Sequence, residues 1–365
     1  MATINDIISA IEAEAPRYLQ EGYDNACLQV GDAQATATGA LLCVDVTEAV
    51  LDEAIARGLN LVISHHPLIF RGLKSLTGAN PTQRIVAKAI KHDVAIYSAH
   101  TNLDSARGGV SYHMAEKLHL SDVRVLSAHQ GKQVKVVVYV PTAYADKVEQ
   151  AMFAQGAGSI GDYDCCSYRI SGEGRYRAGS EAHPFSGEVG EHHVEPETRV
   201  EVIADAARKD AVVSAMLAAH PYEEPAYDVI ALLNQSPYNG FGVVGNIEPM
   251  PLRDFLALLK RTFDVEAIRY SGSDDAEITH VALCGGSGAE LVGDAIASGA
   301  DIYVTGDIKY HDFTSNNHRI VLADIGHYES EQFTKDIFYE IIRKKMPNFA
   351  LYFAEKEIKQ VKYYI

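Results

Sequence analysis

Short apolar runs that stop abruptly at metal-capable side chains constrain this chain more than any other feature of its sequence. Leu61–Ser64 leads straight into His65 and His66, the run 94–98 leads to His100 and Asp104, and the run 320–324 leads to His327. A further strand is expected at 41–44, and helix-length stretches follow it and the next run: Glu48–Ala56, which Thr47 can cap, before Leu61–Ser64, and 83–91 before the run 94–98. Strands alternating with helices at this spacing predict parallel βαβ units. In open sheets of that kind, ligand-binding groups gather beyond the carboxyl ends of the strands.

The middle of the chain breaks the pattern. A β-branched run at 132–140 is followed by a helix at 144–155 and a strand at 165–171. The turn-rich stretch GEGRYRAGSEAHPFSGEVGEHH comes next, then a strand at 198–204, a helix at 210–219 and a strand at 226–233. The order βα-ββ-αβ predicts a ferredoxin-like α+β module with an enlarged central hairpin. Strands followed by helical stretches return at 278–284, 302–305 and 320–324. The predicted fold class is therefore α/β: one domain split between residues 1–125 and 236–365, with the module 126–235 inserted.

A length of 365 residues suits two or three domains. The net charge of −17 argues against a protein that works by neutralising nucleic-acid phosphates. The five cysteines form no C-x-x-C pair, so neither a disulfide framework nor a thiolate zinc site is indicated, and reduced cytoplasmic thiols are expected. Ile4, Ile7, Ile8 and Ile11 follow the spacing of an amphipathic helix, and Asp6, Glu12 and Glu14 argue against a signal peptide. No run approaches the roughly 20 apolar residues of a membrane span.

The histidine pair in LVISHHPLIF suits a borderline divalent metal, and Pro67 keeps His66 out of a helix. Neighbouring side chains of a regular strand face opposite ways, so His65 and His66 can share a site only where the strand has ended. Taken alone, the pair fits hydrogen-bonded surface histidines better than it fits metal ligands. His192 and His193 are adjacent too, but they lie in a polar turn segment with no buried strand before them, and no metal role is read there. Asp104 can complete a metal shell or orient a histidine, or it can cap the next helix. His327 and Glu331 are four apart and share a face of the first turn of a helix starting near Tyr328. They can hold or bridge metal, or form a surface pair favoured by the helix dipole. Asp307, Lys309 and His311 at another strand end are read as facing substrate or supporting the site. The CGGSG turn from Cys284 to Gly288 offers amides that could hold an anion such as phosphate.

Taken together, HHPLIF, SAHTNLD, TGDIKYHD and GHYESE, in that order, resemble the GTP cyclohydrolase I type 2 homologue family, also called the Ngg-interacting-factor-three-like family. The early DNACLQVG resembles a further motif of that family, with Cys27 where glycine is usual. HPFSGEVG and HPYEEPAYDV resemble the insert of its longer members, related to CutA-like and PII-like modules. The resemblance spans nearly the whole chain. It implies two divalent metal ions per subunit, of zinc, iron, nickel or manganese, held by His65, His66, Asp104, His327 and Glu331, with Glu331 bridging. It also implies a ring-shaped homohexamer, a trimer of dimers. The activity it suggests is a metal-dependent hydrolase acting on a small molecule or nucleotide, as in opening the purine ring of GTP with release of formate. Glu331 and His311 are the expected catalytic groups, with Lys309 and the Gly285–Gly288 turn as further substrate contacts. The alternative is a non-catalytic metal-binding scaffold or regulatory protein whose PII-like insert senses a small ligand.

Overall fold

The computed structural model describes residues 2–161, 163–315 and 319–364. It is a mixed α/β structure that divides into two compact units: Met1–Ala128 with Pro237–Ile365, and His129–Ser236.

The first unit contains two sheets. One has five strands in the order Leu28–Val30, Ala95–Ser98, Leu61–Ser64, Ala40–Cys43, Leu351–Phe353. All neighbours in it are parallel except the first pair. Both faces are covered, which is why its strands read as unbroken apolar runs rather than as alternation. Leu42, Ile63 and Tyr97 pack on one side with Ile4, Ile7 and Phe338. Leu41, Val62 and Ile96 pack on the other with Val50 and Ile85. Each fully buried Leu or Ile of this kind contributes about 1.5–3 kcal/mol. The helix Ile4–Glu14 is closed by a capping box between Thr3 and Asp6, and Thr47 caps Glu48–Ala56 through the Val50 amide. Such a cap is worth about 1 kcal/mol.

The second sheet has six strands: Arg269–Tyr270, Val321–Asp324, Ile302–Gly306, Glu277–Ser287, Gln235–Pro251 and Ser121–Gln130. Its central three strands are parallel. The last two strands do not stand out in the sequence, because Gln235–Pro251 carries Pro237, Gly240, Gly242 and Gly245 and reads as turns. Pairing with Glu277–Ser287 tolerates this composition, with a register shift between Asn246 and Met250.

Register places the site. Cys43, Ser64 and Ser98 are level with one another, so the five-stranded sheet delivers Asp45, His65, His66, His100 and Asp104 at one edge. Thr305 is level with Asp324 in the six-stranded sheet, which delivers Asp307 and His327.

The unit His129–Ser236 holds a four-stranded antiparallel sheet in the order Ser167–Arg177, His192–Asp205, Gln133–Pro141, Tyr227–Leu232. Val136, Val138, Val140, Val200 and Val202 share a core with Val148, Met152, Val212 and Met216 from the helices Ala145–Ala154 and Lys209–Ala219. His192 and His193 begin the long strand His192–Asp205 and are not in a turn: the polar hairpin pairs Tyr176 with His193 and Arg177 with His192. Among the described residues, no helix is long and apolar enough to cross a membrane.

Candidate metal centre

His65 and His66 follow the last residue of Leu61–Ser64, where the ladder has ended and adjacent side chains can converge. Their rings lie 5.1 Å apart, and His66 lies 5.2 Å from His327. His327 and Glu331 form the first and last positions of the short helix His327–Glu331, so the four-residue spacing puts both on one face. Asp104 comes from the turn of helix Thr101–Ser105. The structure thus brings together all five residues singled out for metal in the sequence.

Glu331 is the hub. It is 2 % exposed, and its two oxygens face different partners. Oε1 lies 3.5 Å from His65 Nε2, which in turn lies 3.6 Å from Asp104 Oδ1. Oε2 lies 2.9 Å from His66 Nε2 and 3.1 Å from His327 Nε2. Three overlapping sets have ligand atoms within 4.8 Å of one another: His65, Asp104 and Glu331; His66, His327 and Glu331; and His65, His66 and His100.

The far side of each imidazole is fixed. His65 Nδ1 donates to the Ala99 carbonyl at 3.0 Å, His66 Nδ1 to Asp45 at 2.9 Å, and His327 Nδ1 to Asp307 at 2.7 Å. With the proton on Nδ1, the Nε2 lone pairs all turn inward, the arrangement in which imidazole binds metal. His65 Nε2 and Asp104 Oδ1 are buried and have no hydrogen-bond partner among the described residues. Leaving such atoms unmatched costs about 1–3 kcal/mol each. A divalent cation matches both, and the mixed imidazole–carboxylate donor set suits zinc, iron, nickel or manganese alike.

Electrostatics agree with a site built for positive charge. Burial works against charge on His66, but the hydrogen bonds to Asp45 and Glu331 prevail and push its pKa up to about 10. Burial opposes charge on His327 as well; its bonds to Glu331 and Asp307 raise it to about 9. Burial would raise Glu331, yet His65, His327 and His66 hold its carboxyl well below the usual range. Protons at His66 and His327 stand where cations would bind.

A model of the family Duf34/NIF3 (NGG1p interacting factor 3) matches residues 2–360. The chain belongs to the Duf34/NIF3 family. Curated relatives called "GTP cyclohydrolase 1 type 2 homolog" include one from Halalkalibacterium halodurans, 40% identical over 84% of this chain and 82% of its own length. Another, from Bacillus subtilis, is 40% identical over 84% of this chain and 82% of its own. The crystal structure of a Bacillus cereus protein related to NIF3 superposes with a TM-score of 0.83 at 35% identity, over 100% of this chain and 99% of that one.

In this Duf34/NIF3 chain the supporting residues were harder to read than the ligand candidates. Asp45, Asp307 and Asp24 each bind the Nδ1 of a histidine, His66, His327 and His100 respectively. All three sit in loops where aspartate is an ordinary turn residue. His100 faces His65 and His66 with ring centroids 5.3 and 5.5 Å away and joins the potential ligand sets, although no sequence pattern marks it for metal.

Two expectations change. The CGGSG segment is the end of strand Glu277–Ser287 and not a free anion turn. The Gly285, Gly286 and Gly288 amides already donate to the hydroxyls of Ser111, Ser330 and Thr305. The role of Gly286 is steric: a Cβ there would meet Glu331 Oε1 at 2.2 Å, and its φ of +63° is left-handed. His311 stands exposed on the short helix Tyr310–Ser315 with its ring against Tyr310, and among the described residues it shares no hydrogen bond with the cluster. Lys309 is also exposed, and its amide donates to Asp312.

Proposed function

We propose that this chain is a metal-dependent hydrolase with a two-metal centre. In this reading His65, Asp104 and Glu331 would hold one ion, and His66, His327 and Glu331 would hold a second. The observation that carries it is the division of labour at Glu331, whose two oxygens face separate donor sets. Bound divalent ions would supply Lewis-acid polarisation and water of lowered pKa. The chain's own residues do the rest. Asp45 and Asp307 hold two imidazoles in the tautomer that leaves Nε2 free. The Ser330 hydroxyl anchors the Gly286 amide, keeping backbone clear of the Glu331 carboxylate.

The name shared by the curated relatives makes GTP the first substrate to test. The reaction proposed is hydrolytic opening of the purine imidazole ring with release of formate. Metal-loaded protein should release formate from GTP, while His65→Ala and Glu331→Ala variants should not. Formate no higher than in those variants overturns the substrate. Fewer than one metal ion per chain, unchanged in the variants, overturns the centre itself.

The strand order of the unit His129–Ser236, with two helices sharing its core, supports a ferredoxin-like module of the PII or CutA kind. One observation favours a second reading, in which the chain is a metal-binding regulatory protein and this unit senses a small ligand. The unit carries an aromatic-lined cavity of about 430 Å³ of its own. Tight metal binding without turnover of nucleotides or phosphodiesters would favour that reading.

A further inference from the structure

We propose that the cavity in the unit His129–Ser236 is a binding site for a small organic cation, a quaternary or protonated amine. The inference rests on this unit alone and does not depend on the metal reading.

The cavity, of about 430 Å³, is walled by Tyr139, Tyr176, Phe185 and Tyr222. Its size falls within the range of pockets that enclose small molecules. Tyr222 is the centre of the wall, with ring centroids 6.1 Å from Tyr176 and 6.0 Å from Phe185, both at steep angles. The rings are further fixed: the Tyr176 hydroxyl donates to the Ser186 carbonyl at 2.6 Å, and the Tyr222 hydroxyl to Glu197 at 2.9 Å. Ring faces carry negative potential and attract cations, most strongly where water is excluded.

Charge points the same way. Four glutamates line the cavity, Glu173, Glu197, Glu223 and Glu224, against a single cation, Arg175. Arg175 is already paired with Glu173 at 3.0 Å, and both side chains are exposed, so this pair belongs to the rim. Glu223 accepts the His183 amide at 2.8 Å. Glu197 differs from all of these: it is 9 % exposed, on the strand His192–Asp205. Its Oε1 takes the Tyr222 hydroxyl, and among the described residues its Oε2 has no hydrogen bond.

The fold makes room for that carboxylate. A Cβ on Gly174 would lie 2.2 Å from Glu197 Cδ and 2.3 Å from Oε2, so the carboxylate rests on bare backbone of the neighbouring strand. Gly174 is itself part of the cavity wall. A largely buried carboxylate that opens onto a cavity favours a positive ligand there. A metal ion is a poor match, because hard cations need several oxygen ligands held together, and of the four lining glutamates only Glu197 is buried while the other three are exposed. An anion would meet the glutamates. A cation with an apolar body satisfies the rings and Glu197 together.

The test is calorimetric titration of the full chain with choline and tetramethylammonium, and with 3,3-dimethyl-1-butanol, the neutral counterpart of choline. Saturable binding of both cations at one per chain is expected, with the neutral alcohol at least about 10-fold weaker. Glu197→Gln and Tyr176→Leu should each weaken choline binding by about 10-fold or more. Should Glu197→Gln fail to fold, judged by circular dichroism, Tyr176→Leu and the choline-to-alcohol ratio decide. No saturation by either cation, an alcohol that binds as well as choline, or affinity untouched in the folded variants overturns the proposal.

Discussion

His66 Nε2 lies 3.3 Å from His327 Nε2, although 261 positions separate the two residues. Both nitrogens also face Glu331 Oε2. Two protonated nitrogens at that separation repel each other, two bare lone pairs leave a buried carboxylate uncompensated, and a single proton between them makes a hydrogen bond whose place a cation can take. A cation between them resolves both conflicts. Asp104→Ala removes a ligand from the His65 side only, whereas Glu331→Ala removes the shared one. Elemental analysis should find about one ion per chain retained in Asp104→Ala and nearly none in Glu331→Ala. Equal loss in both variants would contradict separate donor sets.

Metal and protons compete for the same nitrogens, which sets a pH dependence. Without metal, the pKa of His66 is raised from 6.5 to about 10 and that of His327 from 6.5 to about 9. Between these limits the folded state binds more protons than the unfolded chain, so stability falls as pH rises. The contribution is fully present below about pH 6.5 and is lost on passing through pH 9 to 10. Metal-free protein should therefore melt at progressively lower temperature from pH 7 to pH 10, and metal-loaded protein should not show that decline. Loading at pH 7 should release protons, visible as a binding enthalpy that changes with the ionisation enthalpy of the buffer. An enthalpy independent of buffer would refute the competition.

The strand-to-histidine junctions were legible in the sequence because their physics is local. Leu61–Ser64 is a continuous apolar run, Pro67 blocks a helix, and His327 and Glu331 obey the helical four-residue spacing. Of what supports them, only Asp307 was marked out, as a residue facing substrate or supporting the site, and its pairing with His327 was not legible. Asp45, Asp307 and Asp24 reach their histidines across 21, 20 and 76 positions, and no periodicity records such pairings. The CGGSG segment misled because glycines suggest a turn, whereas here they let the strand Glu277–Ser287 pass close to Glu331. His192 and His193 misled for a related reason: the strand they begin is exposed and polar at that end, so no apolar run announces it.

Asp307 tests whether orientation matters apart from ligation. Its carboxylate holds His327 Nδ1 at 2.7 Å and contacts no other member of the cluster among the described residues. Loss of such a support typically lowers metal affinity about 10- to 100-fold. Asp307→Ala should weaken one of two binding events by that amount in a competition titration with a chelator, leaving circular dichroism unchanged. Asp307→Asn should fall between, since an amide oxygen can still accept from Nδ1 but carries no charge. Unaltered affinity in both variants would reduce Asp307 to a surface residue.

Glu357 carries the same logic one step further out. Its Oε1 accepts the amides of Val44 and Asp45 at 2.6 and 2.9 Å, fixing the backbone that presents Asp45 to His66. Its Oε2 pairs with Lys335 at 2.7 Å, with the two side chains 2 % and 17 % exposed. Glu357→Ala leaves a largely buried ammonium without its partner and strips two amides of their acceptor. Breaking a buried pair from one side costs about 3–5 kcal/mol, so a loss near the lower end is expected in urea unfolding. Glu357→Gln keeps an oxygen for the amides and should recover about half of that. Because the damage passes through Asp45, both variants should also bind metal more weakly at the His66 side, with Ala worse than Gln. A stability loss with metal affinity intact would mean that Glu357 holds the fold without positioning the site.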